Sequence, residues 1–78
     1  MNENMAERLI KARKDKHMSQ RGLADQVGTS LVSIKCWESG VYEPTAYSVR
    51  RLCKALGVSA DWLLGLKDYE VIITEKDS

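Results

Sequence analysis

From Ser19 to Gly65 the chain falls into four segments, each opened by a hydroxyl residue and closed by a glycine. They run from Ser19 to Gly28, from Thr29 or Ser30 to Gly40, from Thr45 to Gly57, and from Ser59 to about Gly65. A Ser or Thr side chain accepts from the free N–H groups of a helix's first turn, and a glycine just past the last turn ends it in a left-handed conformation. The pattern predicts short helices joined by very tight turns. Apolar spacing agrees within each segment: Leu23, Ala24 and Val27; Leu31, Ile34 and Trp37; Val49, Leu52, Cys53 and Leu56; Trp62 and Leu63. Upstream, Met5, Leu9 and Ala12, with Ile10 widening the stripe, mark a first amphipathic helix near residues 4–16. The stretch 41–44 reads as a loop, because the residue before Pro44 is pushed out of helical geometry.

Five helices in so short a chain make an all-α fold, a compact five-helix bundle occupying residues 1–66, followed by a tail at 67–78. A chain of 78 residues has room for one small core and not for a multi-layer enzyme. The tail carries the one β-prone run, Tyr69 to Thr74, with Val71 and Ile73 on one side of an extended chain and Ile72 on the other. It serves either as a strand that pairs with a second copy or as a frayed acidic end. No apolar run approaches the roughly 18 residues a membrane helix needs, and the amino terminus does not read as a secretory signal. Cys36 and Cys53 lack metal-ligand or disulfide-framework spacing, so reduced thiols in a cytoplasmic protein, with no metal and no cofactor, are expected.

The net charge of +1 conceals an asymmetry: residues 1–54 hold ten Lys+Arg and six Asp+Glu, whereas residues 55–78 hold two and five. The basic charge is densest where Arg8, Lys11, Arg13, Lys14, Lys16 and Arg21 stand against Asp15. Such a stripe is either a phosphate-binding face or an ordinary solvated one. No catalytic set emerges. The single histidine, His17, lies in a turn with nothing to partner it, the acids are scattered, and the glycines punctuate helices without forming a phosphate loop.

The segment Gln20 to Trp37 is the informative one. Two helices meeting steeply need a small residue where their backbones approach, here Ala24, and a permissive one in the turn, here Gly28. Leu23, Val27, Ile34 and Trp37 then point inward, which leaves Leu31, Val32, Lys35 and Cys36 as an outer face of a size to enter a DNA major groove. With Ser19-Gln20, Val27-Gly28-Thr29-Ser30, Ser33-Ile34, Glu38-Ser39-Gly40, Pro44 four residues after Gly40, and the run Ala55 to Leu64, the chain resembles the Cro and repressor type of helix-turn-helix domain over about residues 6–65. This is the lambda-repressor-like fold of phage repressors and many small bacterial regulators.

The resemblance implies that the third helix, roughly Ser30 to Ser39, is the recognition helix, with base contacts from Leu31, Val32 and Cys36. It places Gln20 on a phosphate, with Thr29, Ser30, Lys35 and Tyr42 as further contacts, and it pairs Arg13 with Glu38 as a structural salt bridge. Where many relatives carry an amide, this chain has Leu31 and Val32. Apolar side chains meet thymine methyls and leave the rest to DNA shape, or else they pack on a protein. The function implied is a sequence-specific transcriptional regulator, a repressor on a two-fold symmetric operator in double-stranded DNA. The homodimer would be built on Trp62, Leu64, Leu66 and the tail. The alternatives are an antitoxin or adaptor whose acidic tail binds a protein partner, and a fold used for protein contacts alone.

Overall fold

The computed structural model describes residues 4–66, which form five helices: α1 (Met5–Asp15), α2 (Gln20–Val27), α3 (Leu31–Ser39), α4 (Ala46–Leu56) and α5 (Ala60–Leu63). The expected all-α architecture is the one found among these residues, whereas the expected strand of the tail lies outside them. Each helix start has its cap. Asn4, Ser19, Ser30, Thr45 and Ser59 accept from the backbone N–H of Glu7, Gly22, Ser33, Ser48 and Trp62, and Glu7 returns a carboxylate to the Asn4 N–H to close a capping box. Of the two candidate caps for α3, Ser30 takes the role. Thr29 stays in the turn and donates its N–H to the Ala24 carbonyl at 3.0 Å.

The apolar faces converge on one core. Leu9, Leu23, Ile34, Leu52, Leu56, Val58 and Leu63 are sealed from solvent, with Ala12, Ala24, Val27 and Trp37 filling the spaces between them. Each large aliphatic side chain so buried contributes on the order of 1.5–3 kcal/mol. Helix α2 packs on α3 and α4, α1 on α3 and α5, and α4 on α5, so α3 is braced by its two neighbours α1 and α2.

Two expectations are corrected here. Trp62, expected on a dimer surface, is 3% exposed and belongs to the monomer core. Arg8, counted in the basic stripe, is buried beside it: its Nη1 donates to the Trp62 carbonyl at 2.7 Å, and the guanidinium lies 5.3 Å from the Trp62 ring centroid. A planar, weakly hydrated guanidinium can stack on an aromatic face and satisfy a carbonyl in the same place, which a lysine could not do. Lys11 is also drawn in, bonding Asp15 at 3.1 Å and lying 5.9 Å from the same ring. Much of the apparent phosphate-binding stripe therefore holds α1 in place, while Lys14, Lys16, His17 and Arg21 stay exposed.

Candidate nucleic-acid interface

The geometry of α3 follows from its two faces. Ile34, Trp37 and Glu38 are buried, so the ridge formed by positions 32, 35, 36 and 39, one helical face at i, i+3, i+4 and i+7, points away from the core. Val32 is 67% exposed at the start of that ridge, an unusual position for an aliphatic side chain with no neighbour of its kind to cover it. Lys35 is exposed one turn on, while Cys36 and Leu31 are half-buried along its flanks. Tyr42, also 67% exposed, follows the C-terminus of α3.

The turn that presents α3 is built on Gly28, whose φ of 80° is left-handed and costs an L side chain energy. Its N–H returns to the Ala24 carbonyl at 2.9 Å. Ser30 Oγ is occupied by the Ser33 N–H at 3.1 Å and lies 3.0 Å from Ser33 Oγ, so the side chain named as a phosphate contact is already the helix cap.

Behind the ridge lies a charged cluster. Arg13 grips the Glu38 carboxylate with both arms of its fork, Nε to Oε2 at 2.6 Å and Nη2 to Oε1 at 3.1 Å, and its Nη1 donates to the Met18 carbonyl at 2.9 Å. The two side chains retain 12% and 4% of their exposure. Gln20 Nε2 donates to the same Glu38 Oε1 at 3.0 Å. The start of α2, the end of α1 and the end of α3 are therefore joined through one carboxylate. The amide expected on a phosphate has one of its two hydrogens committed to Glu38, leaving the other and the exposed start of α2 for an anion.

Two further arginines do work that the sequence reading did not foresee. Arg8 is one. Arg51 on α4 is the other, donating from Nε to the Val27 carbonyl at 2.6 Å and from Nη1 to the Tyr47 hydroxyl at 2.8 Å. Each left a trace in the spacing. Arg8 interrupts the apolar stripe of Met5, Leu9 and Ala12, and Tyr47 stands one helical turn before Arg51.

The two thiols differ in environment. Cys53 is buried in the core, and burial pushes its thiol above the ordinary range, because a thiolate is poorly solvated there. At a given pH it holds less of the reactive anion, and its reactivity turns on only at higher pH. In the folded protein near pH 8, iodoacetamide should label Cys36 at least about tenfold faster than Cys53. Equal rates, followed by mass spectrometry of the peptides, would place Cys53 at the surface. Among the described residues no group of three or more His, Cys, Asp or Glu could hold a metal ion, and no helix is long and apolar enough to cross a membrane.

The sequence model of the family described as a helix-turn-helix domain matches residues 6–69 of this chain. The chain belongs to that family. The helix-turn-helix domain is 41% identical over 59 residues to the transcriptional repressor RstR of the cryptic phage CTXphi from Vibrio cholerae, a match covering 76% of this chain and 53% of RstR. It is 40% identical over 60 residues to repressor protein C2 of Salmonella phage P22, covering 77% and 28% of the two chains. The domain thus spans about half the length of RstR and less of C2.

Solved structures agree with the fold. The P22 c2 repressor in complex with a synthetic operator superposes with a TM-score of 0.78 at 38% identity, over 81% of this chain and 96% of that one. The same repressor's DNA-binding domain in solution gives 0.80 at 35% identity, over 88% and 91%. The five-helix arrangement of this helix-turn-helix domain is thus the one carried by phage repressors.

Proposed function

We propose that this helix-turn-helix domain is a sequence-specific DNA-binding transcriptional regulator, a repressor that docks α3 in the major groove and binds a two-fold symmetric operator as a dimer. One observation carries the reading: α3 is locked into the bundle by Ile34, Trp37 and Glu38, yet offers Val32 and Lys35 to solvent on its opposite face. The similarity to a repressor whose structure holds operator DNA supports it.

In this reading Val32, with Leu31 and Cys36 at its sides, reads bases, and thymine methyls are the natural counterparts of an aliphatic tip. Gln20, Thr29, Ser30, Lys35 and Tyr42 engage phosphates through amide, hydroxyl, ammonium and backbone N–H groups near the helix starts. One recognition helix covers only a few base pairs. Two copies, their recognition helices about 34 Å apart, give a site long enough to be selective. Leu64 and Leu66, 46% and 72% exposed just past α5, are the apolar surface available for that pairing once Trp62 is assigned to the core. The work is done in the cytoplasm, where the DNA is, and requires no cofactor and no catalytic step.

Selection from random duplexes with the purified protein should return a two-fold symmetric site with T-containing steps under Val32. Against that site, Val32→Ala and Leu31→Ala should each lose about tenfold in preference over random DNA while non-specific affinity changes little. Equal losses on selected and random duplexes would mean that these side chains do not read bases.

A further inference from the structure

The turn between α2 and α3 is gripped from outside by one side chain of α4. Arg51 Nε donates at 2.6 Å to the carbonyl of Val27, the last residue of α2. Carbonyls in a final turn lack intrahelical partners and lie at the negative end of the helix dipole, so a cation there is held by charge as well as by the hydrogen bond. The second arm is fixed too. Nη1 donates at 2.8 Å to the hydroxyl of Tyr47, and the guanidinium lies 5.3 Å from the Tyr47 ring centroid. The third nitrogen rests against the turn itself, with Nη2 2.9 Å from where a Cβ at Gly28 would stand.

We infer that Arg51 is a positioning residue for base reading, acting through the turn to set the angle at which α3 leaves α2. This rests on the DNA-binding reading of α3. Only Thr29 separates Gly28 from the α3 cap Ser30, and Val32 follows two residues later, so a small rotation at Gly28 carries the reading ridge with it. α4 packs chiefly on α2 and α5, whereas α3 packs chiefly on α1 and α2. The Arg51 fork brings α4 to bear on the one point of α2 from which α3 departs. A lysine could keep the charge but not join Val27, Tyr47 and the turn at once.

The test uses the full chain and three variants, Arg51→Met, Arg51→Lys and Tyr47→Phe. Two quantities are measured well below the melting temperature of each: affinity for the selected operator and for random duplex across a salt series, and amide exchange at Gly28 and Thr29 without DNA. Arg51→Met should lower operator preference about tenfold and speed exchange at both amides by a similar factor, the scale expected for losing a hydrogen bond from a charged group. The slope of log affinity against log salt should not change. Arg51→Lys should recover neither quantity, and Tyr47→Phe should fall between wild type and Arg51→Met.

A slope reduced by about one in Arg51→Met would make Arg51 a phosphate contact and overturn the inference. Full rescue by Arg51→Lys, or unchanged exchange in Arg51→Met, would overturn it as well. A wild-type chain with no operator preference overturns the reading of α3 itself, whereas a preference that survives Arg51→Met overturns only the role of Arg51.

Discussion

Replacing Glu38 with glutamine is expected to destabilise the fold by about 3 kcal/mol, which in a domain of this size lowers the melting temperature by roughly 12–24 °C. The buried Glu38 carboxylate receives Arg13 Nε and Nη2 and Gln20 Nε2, so every contact is from a donor to an anionic acceptor. A glutamine offers one oxygen in place of two and turns an NH2 group toward donors that cannot accept from it. The Arg13 charge is left without its counter-ion at a position only 12% exposed, and stranding a buried charge is the costly half of breaking such a pair.

The net worth of the intact pair is a different quantity. Desolvating two charges consumes much of their attraction, so replacing both at once, Arg13→Met with Glu38→Leu, should recover most of the lost stability. A urea titration of the single and double variants checks both statements. A Glu38→Gln protein melting within about 2 °C of wild type would remove the carboxylate from the account of how α3 is held.

The second large effect concerns salt. Arg21, exposed beside Gln20 in the first turn of α2, and Lys35 on the outer ridge of α3 are cations that no printed ion pair in the bundle engages. If each neutralises one phosphate, a dimer releases about four counterions. Log affinity should then fall with log salt at a slope near −3.6, about a 150-fold loss between 50 and 200 mM. Lys35→Gln should flatten the slope by about two units, one for each subunit, on operator and random duplexes alike. Fluorescence anisotropy with a labelled duplex measures it. An affinity that ignores salt would point to an apolar contact through Val32 and not to a grip on the DNA backbone.

The helices were visible in the sequence because their signals are local. A hydroxyl at the start, a glycine at the end and apolar residues at three and four between them each act within one or two turns, and the cap at Ser30 and the break at Gly28 stand where those rules put them. The inward residues Leu23, Val27, Ile34 and Trp37 followed from the same periodicity. What periodicity does not carry is the partner of a long polar side chain. Arg8 and Lys14 are indistinguishable as letters, yet one stacks on Trp62, fifty-four residues away, and the other faces water. Arg51 reaches back twenty-four residues to Val27, and Gln20 turns to Glu38, because the folded neighbours decide which donor finds which acceptor. Trp62 was drawn toward a dimer surface because a short terminal helix looks exposed. The Arg8 guanidinium stacked on its ring makes the monomer interior the better place for it.

The brevity of these helices has a consequence for how such a protein would be switched off. Helix α3 is nine residues long, and an isolated helix of that length is marginal in water, so its shape depends on α1 and α2 lying against it. No fragment keeps a working reader. A single proteolytic cut in α1 or at the α2–α3 turn should abolish recognition outright and leave no weakened residue of activity, so that the cellular lifetime of the intact chain sets how long its targets stay silent.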